Sequence, residues 1–137
     1  MRDANCIFCR IVEGDLPANK LYEDDKVVAF WDAHPSAPIH VLIVPKNHIP
    51  TLNDLPQDND LLQHIGNVAI RIAKEIGVAD RGYRFLINVN REGGQVIFHL
   101  HAHIMAGKDF GISLIRFAVV VSVLWRKLAG LFRRRKV

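Results

Sequence analysis

His99-Leu100-His101-Ala102-His103-Ile104 alternates three imidazoles with three apolar side chains. A period of two is the period of a β-strand. On that reading residues 97–105 form a strand, with His99, His101 and His103 on one face and Leu100, Ala102 and Ile104 on the other. Same-face side chains on a strand stand roughly 6.5 to 7 Å apart. Rings at that spacing can meet one substrate or one hydrogen-bond network. They cannot all bind one zinc ion without distortion, since zinc–nitrogen bonds are about 2.0 to 2.1 Å. A metallohydrolase with its ion at the triplet is therefore disfavoured.

The rest of the chain supplies partners for this strand. Residues 6–13 read as a short helix closed by Gly14 and followed by Pro17. Lys20 to Glu23 and Val27 to Asp32 read as strands separated by Asp24 and Asp25. The prolines of His34-Pro35-Ser36-Ala37-Pro38 mark a loop, and the apolar run Ile39 to Val44, interrupted by His40, fits a buried strand. From Gln57 to Ile76 the apolar residues fall at 61, 62, 65, 68, 69, 72, 73 and 76, which is helical spacing. Tyr83 to Val89 reads as a further strand and Asn90 to Gly94 as a turn. One long helix between groups of strands predicts an α+β domain with an antiparallel meander.

Composition narrows the function. Half of the 137 residues are apolar, enough for one core. The net charge of +4 is uneven: residues 1–115 carry eleven Lys/Arg against fourteen Asp/Glu, and residues 116–137 carry seven Lys/Arg and no acid. The body is mildly acidic, which argues against nucleic acid as a partner. Two cysteines in one short step, with no apolar leader at the N-terminus, do not make a disulfide framework, and the expected compartment is the cytoplasm.

Three groups of residues carry chemistry. A neutral imidazole is a good nucleophile toward phosphorus near pH 7, provided a partner fixes its tautomer. A covalent phospho- or nucleotidyl-histidine on the triplet strand is the resulting expectation. Gly93-Gly94-Gln95 just upstream lets backbone N–H groups approach an anion, and Asn88 is placed to donate to it. Cys6 and Cys9 make half of a zinc site; His48 and His99 are the best candidates to complete four ligands, the alternative being two buried free thiols. His40, inside an apolar run, is expected to orient another ring. Asp32 reads as an acceptor for ribose hydroxyls or as a strand-end cap, and His34 and His64 as surface residues.

On these segments the chain resembles the histidine triad (HIT) nucleotide hydrolases and transferases. The match runs from residue 6 to about 107 and rests on His99-Leu100-His101-Ala102-His103-Ile104-Met105. Cys6 to Ile11, Val28 to Asp32, Pro38 to Lys46, and Gly82-Tyr83-Arg84 leading to Asn88 support it. Together they look more like the purine nucleoside phosphoramidase branch than the branch that cleaves dinucleoside polyphosphates. The resemblance implies a five-stranded antiparallel sheet with one long and one short helix, extended across a homodimer. It implies a catalytic domain over residues 1–110, followed by an apolar and basic extension over 111–137. His101 would attack the α-phosphorus of an AMP-type phosphoramidate, His103 would contact the phosphate, and His99 and His40 would orient the network. Phe8, Ile11 and Phe30 would flank the base and Asp32 would take the ribose. Asn88, Gly94, Gln95 and Val96 would line the phosphate end. A structural zinc would sit on Cys6, Cys9, His48 and His99.

Two positions depart from that branch: Val96 stands where many relatives have Ser, and Ala106-Gly107-Lys108 stands where they have Gly-Gly-Arg. The first removes a hydroxyl near the phosphate and leaves a zinc-stabilised nucleotide-binding module with little catalysis as the competing expectation. The extension is too short in its apolar run to span a membrane, which takes about 20 residues. Phe117, Val121, Leu124, Leu128 and Phe132 share a helical face. Peripheral contact with anionic lipid, or packing on a dimer, is expected of it.

Overall fold

The computed structural model describes residues 3–111 together with Val121 and Ser122. It divides into two compact units, residues 1–107 and 108–137. In the first unit, helix α1 (Ile7–Glu13) starts from extended Cys6 and stops at Gly14, whose φ of 84° is the left-handed cap. Strands β1 (Lys20–Glu23) and β2 (Val27–Trp31) follow. Their turn is held by Asp24, whose Oδ1 accepts the N–H of Lys26 and of Val27 at 2.8 Å each. Next come β3 (Ile39–Pro45), α2 (Leu61–Glu75), β4 (Arg84–Ile87) and β5 (Ala102–Ala106).

The five strands are antiparallel in the order β1-β2-β3-β5-β4. This corrects the expected meander: β5, last in the chain, inserts beside β3, and β4 is left at the edge. Strand alternation gives the sheet two different faces. Val27, Ala29, Val41, Ile43, Ala102 and Ile104 lie under α2, whose Leu61, Ile65, Val68, Ala69 and Ile72 form the facing stripe. Val28, Phe30, Leu42 and Val44 lie under Phe8, Cys9 and Ile11 of α1.

Two element boundaries differ from the sequence reading. The long helix begins at Leu61, not near Gln57, because Asp58 takes a left-handed φ of 62° and the Asn59 side chain accepts the Leu61 N–H at 2.6 Å. The triplet strand begins at Ala102, not at residue 97. Ahead of it the backbone makes loop contacts: the Leu100 N–H donates to Ile49 O at 2.6 Å, and Ile97 O accepts from the Gln95 amide at 3.1 Å. Only His103 of the three histidines is therefore on the sheet ladder.

In the second unit the Lys108 ammonium lies 5.2 Å from the centre of the Phe110 ring. The amphipathic helix expected over 117–132 lies outside the described residues, save for Val121 and Ser122, which are helical and exposed. Among the described residues no helix is long and apolar enough to cross a membrane.

Candidate active site and metal centre

The α1 face of the sheet gathers most of the residues singled out by sequence. His103 sits opposite Leu42 and Met105 opposite His40, so both histidines share the face that α1 covers. His40 Nε2 lies 2.9 Å from His103 Nδ1. The Ser36 N–H donates to His40 Nδ1 at 3.1 Å, closer than Asp32 Oδ2 at 3.3 Å. Nδ1 of His40 is thus an acceptor, its Nε2–H donates to His103, and the remaining His103 proton rests on Nε2. That nitrogen is buried with no hydrogen-bond partner among the described residues. A buried donor without a partner is costly, and an anionic oxygen would satisfy it.

His101 is fixed by a different contact. Its Nδ1 lies 2.6 Å from the carbonyl oxygen of His99. A carbonyl only accepts, so Nδ1 carries the proton and Nε2 of the neutral ring keeps its lone pair. The ring packs edge-on against Phe8 at 5.1 Å and against His103 at 4.9 Å between centres. Burial lowers the pKa of His40 and of His101 below the ordinary imidazole value. Burial, reinforced by the two neighbouring rings, takes His103 down to about 4. All three are neutral at pH 7, the state a nitrogen nucleophile requires.

The second cluster begins at α1. Cys6, Cys9, His48 and His99 each point one ligand atom to a common centre, all four within 4.8 Å of one another. His99 Nδ1 is 3.4 Å from Cys6 Sγ and 3.6 Å from Cys9 Sγ, and His48 Nδ1 is 3.3 Å from Cys9 Sγ. Sulfur and nitrogen on one tetrahedral zinc, with bonds of about 2.3 and 2.0 to 2.1 Å, stand about 3.5 Å apart. His99 Nε2 donates to Pro45 O at 2.8 Å, which turns the Nδ1 lone pair toward the centre. Donor set, spacing and outer contact all fit a metal ion.

The remaining residues divide. Phe8, Ile11 and Phe30 form the apolar wall beside the histidines, and Phe8 packs edge-on to Phe30 at 5.9 Å. Asp32 follows β2, accepts the His34 N–H at 2.8 Å and faces His40. Asn88 sits against Gly94, whose missing Cβ would stand 3.9 Å from the amide. Gln95 is bonded within its own loop and to its neighbour: its Oε1 accepts the Asn90 N–H at 2.9 Å and its Nε2 donates to Pro50 O and Ile97 O at 2.7 and 3.1 Å. Val96 is 86% exposed. It lines a surface cleft of about 320 Å³ with Cys6, Ile7, His48 and Phe98. His34 is exposed, but His64 binds Asp24 at 2.7 Å and so joins α2 to the β1–β2 turn. Sequence reasoning did not find the carbonyls of Pro45 and His99 or the N–H of Ser36, because backbone groups leave no mark on residue type.

Comparison with known proteins agrees with this geometry. Residues 13–110 match the HIT domain. The chain belongs to the HIT family and is a hydrolase of that family. It is 42% identical over 109 residues to the purine nucleoside phosphoramidase of Escherichia coli strain K12, covering 79% of this chain and 92% of that one. A histidine triad protein from Clostridium difficile superposes with a TM-score of 0.78 at 47% identity, covering 80% and 96% of the two chains. A zinc-bound histidine triad family protein from Mycobacterium smegmatis gives a TM-score of 0.68 at 33% identity, covering 77% and 76%.

Proposed function

We propose that the protein hydrolyses purine nucleoside 5′-phosphoramidates of the AMP type through a covalent intermediate on His101. The observation that carries this reading is the 2.6 Å contact from His101 Nδ1 to the His99 carbonyl, which leaves Nε2 free beside the unpartnered Nε2–H of His103. His101 Nε2 forms a bond to the α-phosphorus as the phosphorus–nitrogen bond breaks, and the leaving nitrogen takes a proton from solvent and departs as the amine. The His99 carbonyl supports the positive charge that develops on the ring, and His103 donates to a phosphate oxygen. Water then attacks phosphorus, releases the nucleoside monophosphate and returns the imidazole. Phe8, Ile11 and Phe30 hold the purine and Asp32 the ribose. Asn88, the Gly94 backbone and Val96 border the phosphate and leaving group, and Gln95 serves by shaping that loop. Cys6, Cys9, His48 and His99 would hold a zinc ion, which would tie α1 to the segment after β3 and to the segment before β5.

Residues 1–110 form the catalytic domain, and β4 at the sheet edge, with exposed Phe85, suits pairing with a second copy to give a homodimer. Two free thiols suit the reducing cytoplasm. The test of the chemistry is mass spectrometry of acid-quenched enzyme after mixing with adenosine phosphoramidate and, separately, with a dinucleoside polyphosphate. The expected result is a nucleotidyl adduct on His101 with the first substrate. Turnover without an adduct, or an adduct elsewhere, rejects the mechanism; nucleotide binding without turnover of either substrate supports the binding-module reading that Val96 motivates.

A further inference from the structure

We infer that metal binding at Cys6, Cys9, His48 and His99 sets the orientation and tautomer of His101, with His99 as the positioning residue that joins the two sites. The inference rests on the reading of His101 as the nucleophile. His99 is the one residue that belongs to both sites: its ring faces the thiols and its carbonyl holds the His101 ring. The ring is gripped from both sides, by Pro45 O at Nε2 and by the cluster at Nδ1.

The peptide unit between His99 and Leu100 is gripped likewise. Its C=O accepts from His101 at 2.6 Å and its N–H donates to Ile49 O at 2.6 Å, one residue beyond the ligand His48. No sheet ladder holds this peptide, because β5 starts at Ala102. The four-ligand centre joins the two segments that meet at it next to His99 itself, while the Gln95 amide ties them further off, at Pro50 O and Ile97 O. A second tie runs through α1: Phe8 lies between the ligands Cys6 and Cys9 in sequence and packs edge-on against His99 at 5.9 Å and His101 at 5.1 Å.

When the ion leaves, the thiols take up protons and His99 keeps only weak thiol contacts on Nδ1. The His99 carbonyl then loses its fixed direction, and the His101 proton can redistribute between its two nitrogens. His103 is the internal control. Its tautomer depends on His40, which stands on β3 and touches no ligand of the metal.

The experiment records two-bond proton–nitrogen correlations of histidine-labelled full-length protein with one equivalent of Zn²⁺ and after chelation. The Cys6→Val/Cys9→Ala double variant, which keeps apolar packing without the thiols, is recorded in parallel. The expected result is a single Nδ1–H pattern for His101 with zinc, and loss of that pattern in both metal-free samples. The His103 pattern and the methyl signals of Ile65 and Ile72 under α2 should persist. An unchanged His101 pattern in samples shown by elemental analysis to lack metal overturns the proposal. So does loss of the Ile65 and Ile72 signals in both metal-free samples, which would make the ion a fold staple alone. No substrate is present, so this result stands or falls separately from the adduct experiment.

Discussion

The two faces of one sheet are held by different means. Under α2 the contact is apolar from end to end, with Ile43, Ile65, Ile72 and Ile104 fully buried and a 15-residue helix to cover them. Under α1 the covering helix has seven residues, and the space beside it is filled by imidazoles, thiols and loop backbone. Non-directional burial suffices for the first face. The second is specified by hydrogen bonds and ligand geometry, each fixing one atom. A short helix cannot bury enough surface to hold itself in place, and directional contacts supply what area does not. The face that is poorer in apolar contact is the one where ring positions must be exact to a fraction of an ångström.

Substitutions can break this comparison, and the largest effect is expected at His101. His101→Ala should lower turnover of adenosine phosphoramidate about 10³-fold or more, with the unfolding midpoint nearly unchanged. A large stability loss there would show that the α1 face also depends on bulk packing. Ile65→Ala on the other face should cost about 2–5 kcal/mol in denaturant unfolding while the folded fraction keeps its kcat/KM.

Acid separates the faces by pH. His103 titrates at about 4 in the folded chain against an ordinary 6.5. At this group only the unfolded state gains a proton as pH falls from about 6.5 to 4, so His103 alone accounts for a stability loss of about 3 kcal/mol across that window, and buried His40 and His101 add to it. His103→Asn should make this part of the profile less steep. Burial raises the Asp24 carboxyl, but hydrogen bonds from Tyr22, the Val27 and Lys26 N–H groups and His64 outweigh it and hold the pKa below the usual range. Its contribution is present above the unfolded carboxylate value and is lost only below about pH 4, so Asp24→Asn should change stability at neutral pH and leave the His103 window intact. At the small end, Glu75→Gln breaks the exposed pair with Arg71 at 2.8 Å and should move stability by no more than about 0.5 kcal/mol.

Much of this was legible in the residues, and the failures have particular causes. The spacing from Leu61 to Ala73 marks the buried stripe of α2, and the four metal-site residues converge although Cys6 and His99 are 93 positions apart. Alternation over 99–104 gave the correct faces for Ala102, His103 and Ile104 but the wrong strand start. The chain bends over 97–99, which the alternation of residue types does not reveal, and the partner of each N–H marks the difference. The Leu100 N–H goes to Ile49, not to a ladder. The placement of β5 beside β3 is a long-range pairing for which local pattern carries no signal. The resemblance puts Gln95 at the phosphate end, and the structure shows its side chain bonded to the Asn90 N–H, Pro50 O and Ile97 O. The two glycines before it serve the turn itself: a Cβ on Gly93 would stand 2.2 Å from Val89 O.

The position of β5 also sets an order of events during synthesis. His103 pairs with Leu42, and Met105 with His40, so the second neighbour of β3 waits for the last stretch of the first unit. Until then β3 has one open edge and β4 has no neighbour in the sheet. Chain closure over some sixty residues is slow compared with formation of α2 or the β1–β2 hairpin. A nascent chain that stops short of Ala102 therefore carries no aligned imidazole. The ring proposed as the nucleophile directly precedes β5, so it takes its place in the step that completes the sheet.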